Sequence, residues 1–387
     1  MGARERGNGG APGRAVKKAA LVLLTCLAPV AAGESVVVLR DNGPSANRIN
    51  LAILGDGYTS REQSRFATNA DYVIAGMFGQ QPYTEYASYF NVRRVDVISR
   101  ESGADKFGQP RDTALGATYE CRVAPLCVDD ALANAVLARS LPADQRDMVL
   151  VLVNDPAYGG YGGPITVSAM HDLVVELALH ELGHSFGRLV DEYEGQGTCN
   201  ANREPTAANA TLQTARDLIK WSHWIGAGTP VPTTDTLPSG GTVGLYAGGN
   251  HCLPSSGMYR PSFLSKMRQM GRPFEAVNVE QLVKRVYGFV SPIDRARPEE
   301  AELTRAAGEA IELSVEPMRP TTHALEIAWS IDGEPSGQDP ILRIEPGALR
   351  AGTHAVEVEV RDPTPLVRSD PNQALRERRT WKLNITR

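Results

Sequence analysis

The chain has 387 residues, of which 42% are hydrophobic and 22% are charged, and its formal net charge is −5. This composition is typical of a globular protein and excludes a disordered, collagen-like or coiled-coil structure for the chain as a whole. The negative charge argues against nucleic-acid binding as the main function. The length predicts two or three domains, each large enough to bury a core.

Residues 1–33 have the three parts of a secretory signal peptide. A basic segment ends at Lys18, a short apolar run covers 19–27, and small residues follow up to Gly33. The apolar run is too short to span a bilayer, although an uncleaved signal anchor is the alternative. Cleavage would remove a net charge of +4 and leave an exported protein with −9. We therefore expect a secreted protein, extracellular or periplasmic, without a stable membrane span.

Strands and helices alternate from residue 49 to residue 186. Strands are predicted at 49–54, 90–98, 148–153 and 165–168, and helices at 59–77, 129–137 and 172–186. This alternation predicts an α/β (α+β) layered domain. The glycine-rich segment 159–163 fits two interpretations equally well, an edge strand that pairs with an extended peptide or a flexible turn.

The sequence pattern of the chain changes after Pro292. Residues 297–300 read as a linker, and short strand-like runs separated by turn residues follow it at 311–315, 325–331, 341–344, 354–361 and 380–385. Such runs predict a small all-β, immunoglobulin-like sandwich. The predicted organisation is a signal peptide at 1–33, a main domain at 34–296 and a C-terminal accessory domain at 297–387.

Four cysteines remain after the signal peptide, and an even number in an exported protein predicts disulfides. Three pairings are possible. We expect Cys121–Cys127, because these two are close in sequence, together with Cys199–Cys252. Free buried thiols are the alternative.

The motif His180-Glu181-Leu182-Gly183-His184 carries the strongest chemical signal. Residues four apart lie on one face of a helix, so His180 and His184 can bind one Zn²⁺. Glu181 would then activate a zinc-bound water for attack on a carbonyl group. A chance occurrence of the bare motif is the alternative, and the apolar stripe that precedes it argues for a real helix.

A catalytic zinc needs a third protein ligand and one open position. Asp191 is the preferred candidate, and Glu192 is the next. A supporting or surface role is the alternative for these acids. The third histidine of the metzincin pattern would fall at Val190, which cannot bind a metal.

Several separated segments of the chain resemble the IgA-peptidase family of zinc metallo-endopeptidases. They are 53–58, 101–105, 111–117, the H-E-x-x-H and D-E-Y residues of 180–193, and 259–268. The resemblance implies a zincin-like metalloprotease domain with a methionine turn beneath the metal. Met267 fits that turn, Met258 and Met270 are competitors, and an ordinary core methionine is the alternative.

Three further residues are weaker candidates. Tyr193 could stabilise an oxyanion, although tyrosines near helix ends are common. We expect His223 and His251 to be ordinary core or surface histidines rather than residues that line the cleft or stabilise the oxyanion.

The sequence thus predicts a secreted zinc endopeptidase that hydrolyses protein substrates. Two other functions stay open. One is a non-catalytic binding protein with a structural or vestigial zinc site, and the other is a zinc hydrolase of non-peptide amides. The presence of Glu181 between the two histidines argues against a purely structural zinc.

Overall fold

The computed structural model describes residues 34–122, 124–195, 199–234 and 241–387. The predicted signal peptide lies outside these ranges. Residues Glu34–Arg387 form one compact unit. Within the described ranges, no helix has the length and apolar character that crossing a bilayer requires.

A six-stranded sheet organises the first part of this unit. Its strands are β1 (Ser35–Arg40), β2 (Ile49–Asp56), β3 (Phe90–Asp96), β4 (Met148–Val153), β5 (Gly160–Gly162) and β6 (Thr166–Ala169), in the order β1-β3-β2-β4-β6-β5. The inner strands run parallel, whereas β1 and β5 are antiparallel to their neighbours. Strands β2 and β4 are apolar along almost their whole length because both faces of the sheet are covered there.

Four α-helices cover the sheet: α1 (Gln63–Met77), α2 (Asp130–Ser140), α3 (Val174–Ser185) and α4 (Ala276–Tyr287). Alternate residues of β2 and β4 belong to two different hydrophobic clusters, one shared with α2 and the other with α1, α3 and α4. The sheet is therefore the middle layer of three. Local signals start the helices: the Asp129 carboxylate accepts hydrogen bonds from the first turn of α2, and Glu275 does the same for α4.

The predicted strands and helices of this region are all present, but two further elements were not predicted. Strand β1 is an edge strand, mostly exposed, and its short apolar run at 36–39 follows the predicted signal peptide directly. Helix α4 is strongly amphipathic, with Leu282, Val283 and Val286 on its buried face. Its 3.6-residue apolar period was the signal that could have revealed it.

The C-terminal region is all-β. After the short pair β7 (Tyr246–Ala247) and β8 (Tyr259–Arg260), the strands are β9 (Ile293–Arg297), β10 (Glu302–Ala306), β11 (Ile311–Pro317), β12 (Glu326–Ile331), β13 (Glu334–Gly337), β14 (Ile341–Ile344), β15 (Gly352–Arg361) and β16 (Arg376–Thr386). They form a five-stranded sheet in the order β10-β16-β15-β12-β13 and a three-stranded sheet in the order β14-β11-β9. The apolar residues of both sheets belong to one cluster, which also includes residues of α4 and the main sheet.

The linker predicted at 297–300 is shorter than expected. Arg297 is the last residue of β9 and pairs with Ser314 of β11. Strand β9 alternates polar and half-buried residues, so its sequence resembles a solvated connector. The division proposed at 296/297 consequently falls inside a strand of the C-terminal sheets.

Both predicted disulfides are present. Cys121 bonds to Cys127, and Cys199 bonds to Cys252 across 53 residues of sequence.

Candidate active site

A cleft of about 710 Å³ opens between strand β5 and the loops that follow helix α3. Its lining combines ionisable and apolar side chains with the glycines of β5. The lining residues are Ala124, Pro125, Tyr158, Gly160, Tyr161, Gly162, His180, Glu181, His184, Asp191, Tyr193, His251, Arg268 and Met270. The predicted base Glu181 and the preferred metal ligands His180, His184 and Asp191 are therefore found in one cavity.

Helix α3 places His180 and His184 on the same face, one turn apart. Their Nε2 atoms lie 3.2 Å from each other, and their rings are perpendicular. Glu181 lies beside them, and the three side chains offer ligand atoms within 4.8 Å of one another. The i, i+4 spacing of the motif produces this juxtaposition.

Backbone carbonyls orient both imidazoles. His180 Nδ1 lies 3.0 Å from the carbonyl oxygen of Lys266, and His184 Nδ1 lies 2.9 Å from that of Leu189. A carbonyl oxygen can only accept, so each Nδ1 carries the hydrogen and donates it. Each Nε2 is then left with a lone pair that points into the cleft, which is the tautomer of a metal ligand.

Asp191 supplies the third donor atom. Its Oδ1 lies 3.1 Å from His180 Nε2 and 3.3 Å from His184 Nε2. This oxygen is buried and has no hydrogen-bond partner among the described residues. Three lone-pair atoms thus form a nearly equilateral triangle, which only a cation, a proton or a metal ion, can stabilise.

The electrostatics of the site favour that cation. Burial alone would lower the pKa of His184, but the neighbouring Asp191 carboxylate outweighs it and raises the pKa to about 9. Burial would likewise raise the pKa of Asp191, yet the two imidazoles hold it well below its usual value. The residues therefore fit a small metal ion bound by two nitrogen atoms and one oxygen atom.

Glu192, the other candidate for third ligand, points away from the cleft. Its fully buried carboxylate accepts hydrogen bonds from Ser265 Oγ at 2.6 Å, Asn278 Nδ2 at 2.9 Å and Asn209 Nδ2 at 3.0 Å. Adjacent carboxylates thus have opposite surroundings, because successive side chains of an extended segment point to opposite sides.

The Glu181 carboxylate is 8% exposed and accepts no hydrogen bond from the described residues. Burial raises its pKa, the two histidines oppose that shift, and Asp191 adds to it. A carboxylate with a raised pKa and free lone pairs is suited to accept a proton.

Met267 packs against helix α3, and its place in a methionine turn beneath a metal stays a prediction. It is fully buried, and a Cβ atom at Gly183 would lie 2.6 Å from its sulfur. Its carbonyl oxygen accepts a 2.8 Å hydrogen bond from Glu192 N. The preceding Lys266 is also buried and pairs with Glu176, one helical turn before His180. This segment therefore supports both His180 and the chain at 191–192.

The two weaker histidine candidates have different positions. His223 pairs with Glu280 at 3.0 Å and does not line the cleft. His251, expected to be an ordinary histidine, lines the cleft, and its Nε2 lies 3.0 Å from Asp191 Oδ2. The signal that could have revealed it is the preceding Gly248-Gly249-Asn250, a run that favours a tight turn.

The glycines of β5 allow a close approach between this strand and α3. A Cβ atom at Gly160 would lie 2.7 Å from Glu181 Oε1, and one at Gly162 would lie 2.5 Å from His184 Cβ. Of the two interpretations of segment 159–163, the strand is the one that forms. Its second edge faces the cleft and pairs with no strand among the described residues.

Comparisons with solved structures carry little information here. A quinonprotein alcohol dehydrogenase-like protein from Bacteroides thetaiotaomicron is 11% identical, with coverage of 23% of this chain and 18% of that chain. The fibronectin(III)-like modules of CbhA from Clostridium thermocellum are 13% identical, with coverage of 24% and 94%. Both have a TM-score of 0.18, too low to support an inference. No curated protein matches the chain.

A family model gives the identification. The model described as IgA Peptidase M64 matches residues 37–238, which is more than half of the chain. The match includes the sheet, helix α3 and the segment with Asp191, whereas His251 and Met267 lie beyond it. The residues that converge in the cleft agree with the metal dependence of that family. The chain belongs to the IgA peptidase M64 family.

Proposed function

We propose that the protein is a secreted, zinc-dependent endopeptidase whose metal ligands are His180, His184 and Asp191. The observation that carries this proposal is the triangle of His180 Nε2, His184 Nε2 and Asp191 Oδ1, with sides of 3.1, 3.2 and 3.3 Å. Ligand atoms in a tetrahedral zinc site, with bonds of about 2.0–2.1 Å, lie about 3.3–3.4 Å apart.

Zinc fits this donor set better than a hard cation would. Two imidazoles and one carboxylate are the type of ligand set that catalytic zinc sites use, whereas magnesium and calcium prefer oxygen ligands. Zinc at this position would lower the pKa of water and polarise the substrate carbonyl group.

Glu181 is the proposed general base. It takes a proton from the attacking water and later gives that proton to the leaving amine. Its position beside the histidines and its raised pKa support this role. Tyr193 lines the same cleft and is the proposed donor to the developing oxyanion.

Strand β5 is the proposed docking edge for the substrate. An extended peptide can add to an open sheet edge through backbone hydrogen bonds, a mode that does not depend on a chain terminus. Tyr158, Tyr161, Pro125 and Met270 would contact its side chains. Recognition along a strand edge favours cleavage within a chain, hence an endopeptidase.

The two disulfides support export, because disulfides such as those at Cys121 and Cys252 persist in oxidising compartments. The division into a catalytic domain at 34–296 and an accessory β domain at 297–387 stays a prediction, and strand β9, which spans its boundary, belongs to the C-terminal sheets.

The test is cleavage of a broad mixed peptide library by the purified protein, with Glu181→Gln as the matched variant. We expect internal cleavage that a chelator abolishes and zinc restores. The Glu181→Gln variant should retain bound zinc and lose at least about 100-fold in kcat. No cleavage by folded, zinc-loaded protein would contradict the endopeptidase assignment, and full activity of the variant would exclude Glu181 as the base.

A further inference from the structure

The turn that carries His251 has an unusual backbone. Four consecutive residues have positive φ: Gly248 at 86°, Gly249 at 108°, Asn250 at 50° and His251 at 58°. Glycine adopts this region freely, but a histidine does so rarely and at a cost. Unfavourable conformations that persist in folded proteins are concentrated at functional sites, which directs attention to the His251 side chain.

Backbone hydrogen bonds fasten this turn to the segment that contains Asp191. Asn250 N donates to the carbonyl oxygen of Asp191 at 2.6 Å, and His251 N donates to that of Tyr193 at 3.2 Å. The next residue, Cys252, is fully buried and disulfide-bonded to Cys199. The turn and the proposed ligand segment are therefore connected directly.

The side chain completes the connection. His251 Nε2 lies 3.0 Å from Asp191 Oδ2, and the imidazole packs edge-on against the Tyr193 ring, with 5.0 Å between ring centres. The two atoms are thus in polar contact, at a distance from which a hydrogen on His251 Nε2 can be donated to the carboxylate.

An aspartate needs such a partner in order to present one oxygen in a fixed direction. Rotation about the χ2 bond of aspartate has broad minima, so the carboxylate plane is weakly defined by the side chain itself. The contact of His251 with Oδ2 restricts that plane, while Oδ1 lies near His180 and His184. Outer hydrogen bonds of this kind commonly orient metal ligands.

We propose that His251 is a positioning residue for the metal ligand Asp191 and that the Cys199–Cys252 disulfide keeps it in place. This inference rests on the proposed metal site. Retention of the metal then depends on His251, which lies about 60 positions from Asp191 in the sequence, and on an oxidised Cys199–Cys252 disulfide.

The first test compares His251→Ala with His251→Gln and measures the zinc dissociation constant by competition with a chromogenic chelator. We expect His251→Ala to weaken zinc binding by about 10- to 100-fold. The Gln variant should regain most of this loss, because its amide can donate to the same oxygen. Both variants keep a non-glycine residue at positive φ, so their difference isolates the hydrogen bond from backbone strain.

A matched control is His223→Gln. It alters the pair of His223 with Glu280, which has the same distance of 3.0 Å and lies outside the cleft. It should leave zinc affinity unchanged. Substitution of Co²⁺ adds a spectroscopic measurement: the d–d absorption should change in His251→Ala, return in His251→Gln and stay constant in His223→Gln. Equal losses in the Ala and Gln variants, or wild-type affinity in both, would overturn the positioning role.

The second test addresses the disulfide. Cys199→Ser/Cys252→Ser should weaken zinc binding about tenfold, whereas Cys121→Ser/Cys127→Ser should not. If the disulfide acts through His251, adding Cys199→Ser/Cys252→Ser to His251→Ala should cause no loss beyond that of His251→Ala itself. Fully additive losses would contradict this part of the inference.

Failure of the inference can be distinguished from failure of the proposed function. If the wild-type protein binds no zinc, the proposed function fails and the inference fails with it. If the wild-type protein binds zinc and all His251 variants match it, the inference alone is wrong. Neither result requires a measurement of proteolysis.

Discussion

Two aspartates in different regions have similar neighbours but differ in how their carboxylate oxygens are hydrogen-bonded. Asp191 lies in the cleft, and Asp362 lies where the β-rich C-terminal region meets the main sheet and α4. Each is approached by three aromatic side chains with polar atoms. Around Asp191 they are His180, His184 and His251, and around Asp362 they are Tyr86, Tyr287 and His323.

The Asp362 carboxylate is fully satisfied. Its Oδ2 accepts hydrogen bonds from Tyr86 at 2.7 Å and Tyr287 at 2.6 Å, and its Oδ1 accepts from His323 at 2.7 Å and Thr364 N at 2.8 Å. Burial raises the pKa of both tyrosines, so they remain protonated donors. A buried network with every member paired connects two regions rigidly.

Asp191 differs in one oxygen. Its Oδ2 faces His251, but its Oδ1 faces two lone pairs and has no hydrogen bond to the described residues. Buried polar atoms are usually paired, so this unpaired oxygen beside an open cleft supports the proposed metal site. The two aspartates thus differ in their hydrogen bonds rather than in their charge. A carboxylate whose oxygens are all paired stabilises the fold, whereas an unpaired oxygen is free to bind a cation.

The largest expected effect is on zinc affinity, in a comparison of the adjacent acids Asp191 and Glu192. Asp191→Asn should weaken zinc binding by more than the 100-fold that loss of an outer partner can cost, because a ligand itself is removed. Glu192→Gln is the matched isosteric change, and its amide can keep the contacts to Ser265, Asn209 and Asn278. Metal content after dialysis against a chelator measures both, and a greater loss in Glu192→Gln would reverse the assignment.

The next largest effect, on the free energy of unfolding, is expected at Asp362. Asp362→Ala should lower the free energy of unfolding by about 3–5 kcal/mol, because it leaves buried donors without an acceptor. Urea denaturation of the metal-loaded protein measures this change. Zinc affinity of the folded variant should equal that of the wild type, and a loss as large as that of Asp191→Asn would remove the distinction between the two carboxylates.

The smallest effects are expected from single hydroxyl groups. Tyr86→Phe should cost about 1.5–3 kcal/mol of stability, the range for hydrogen bonds to charged groups, and leave kcat unchanged. Tyr193→Phe should change stability by less than about 0.5 kcal/mol and lower kcat by up to about 100-fold, with KM nearly constant. The pair is compared by urea denaturation and steady-state kinetics, and a Tyr193 effect confined to stability would exclude the oxyanion role.

Much of the fold could be predicted because it depends on short-range patterns. The strand predicted at 148–153 is β4 with the same boundaries, and the two histidines of the predicted motif lie on one face of α3. By contrast, β1 and β9 are exposed or half-exposed edge strands, and neither the short apolar run at 36–39 nor the mixed segment at 293–297 indicates by itself that a strand forms. Their identity depends on the strands beside them, β3 and β11.

The sequence by itself determined the histidine pair, because helix geometry places residues four apart on one face whatever surrounds the helix. It also determined that two acids follow within reach. Only the tertiary structure decided which acid faces the cleft, because that choice depends on how residues 188–193 lie over Met267. It likewise decided that His251 meets Asp191, since chain segments 60 residues apart are brought together by long-range packing and a disulfide, which no local pattern encodes.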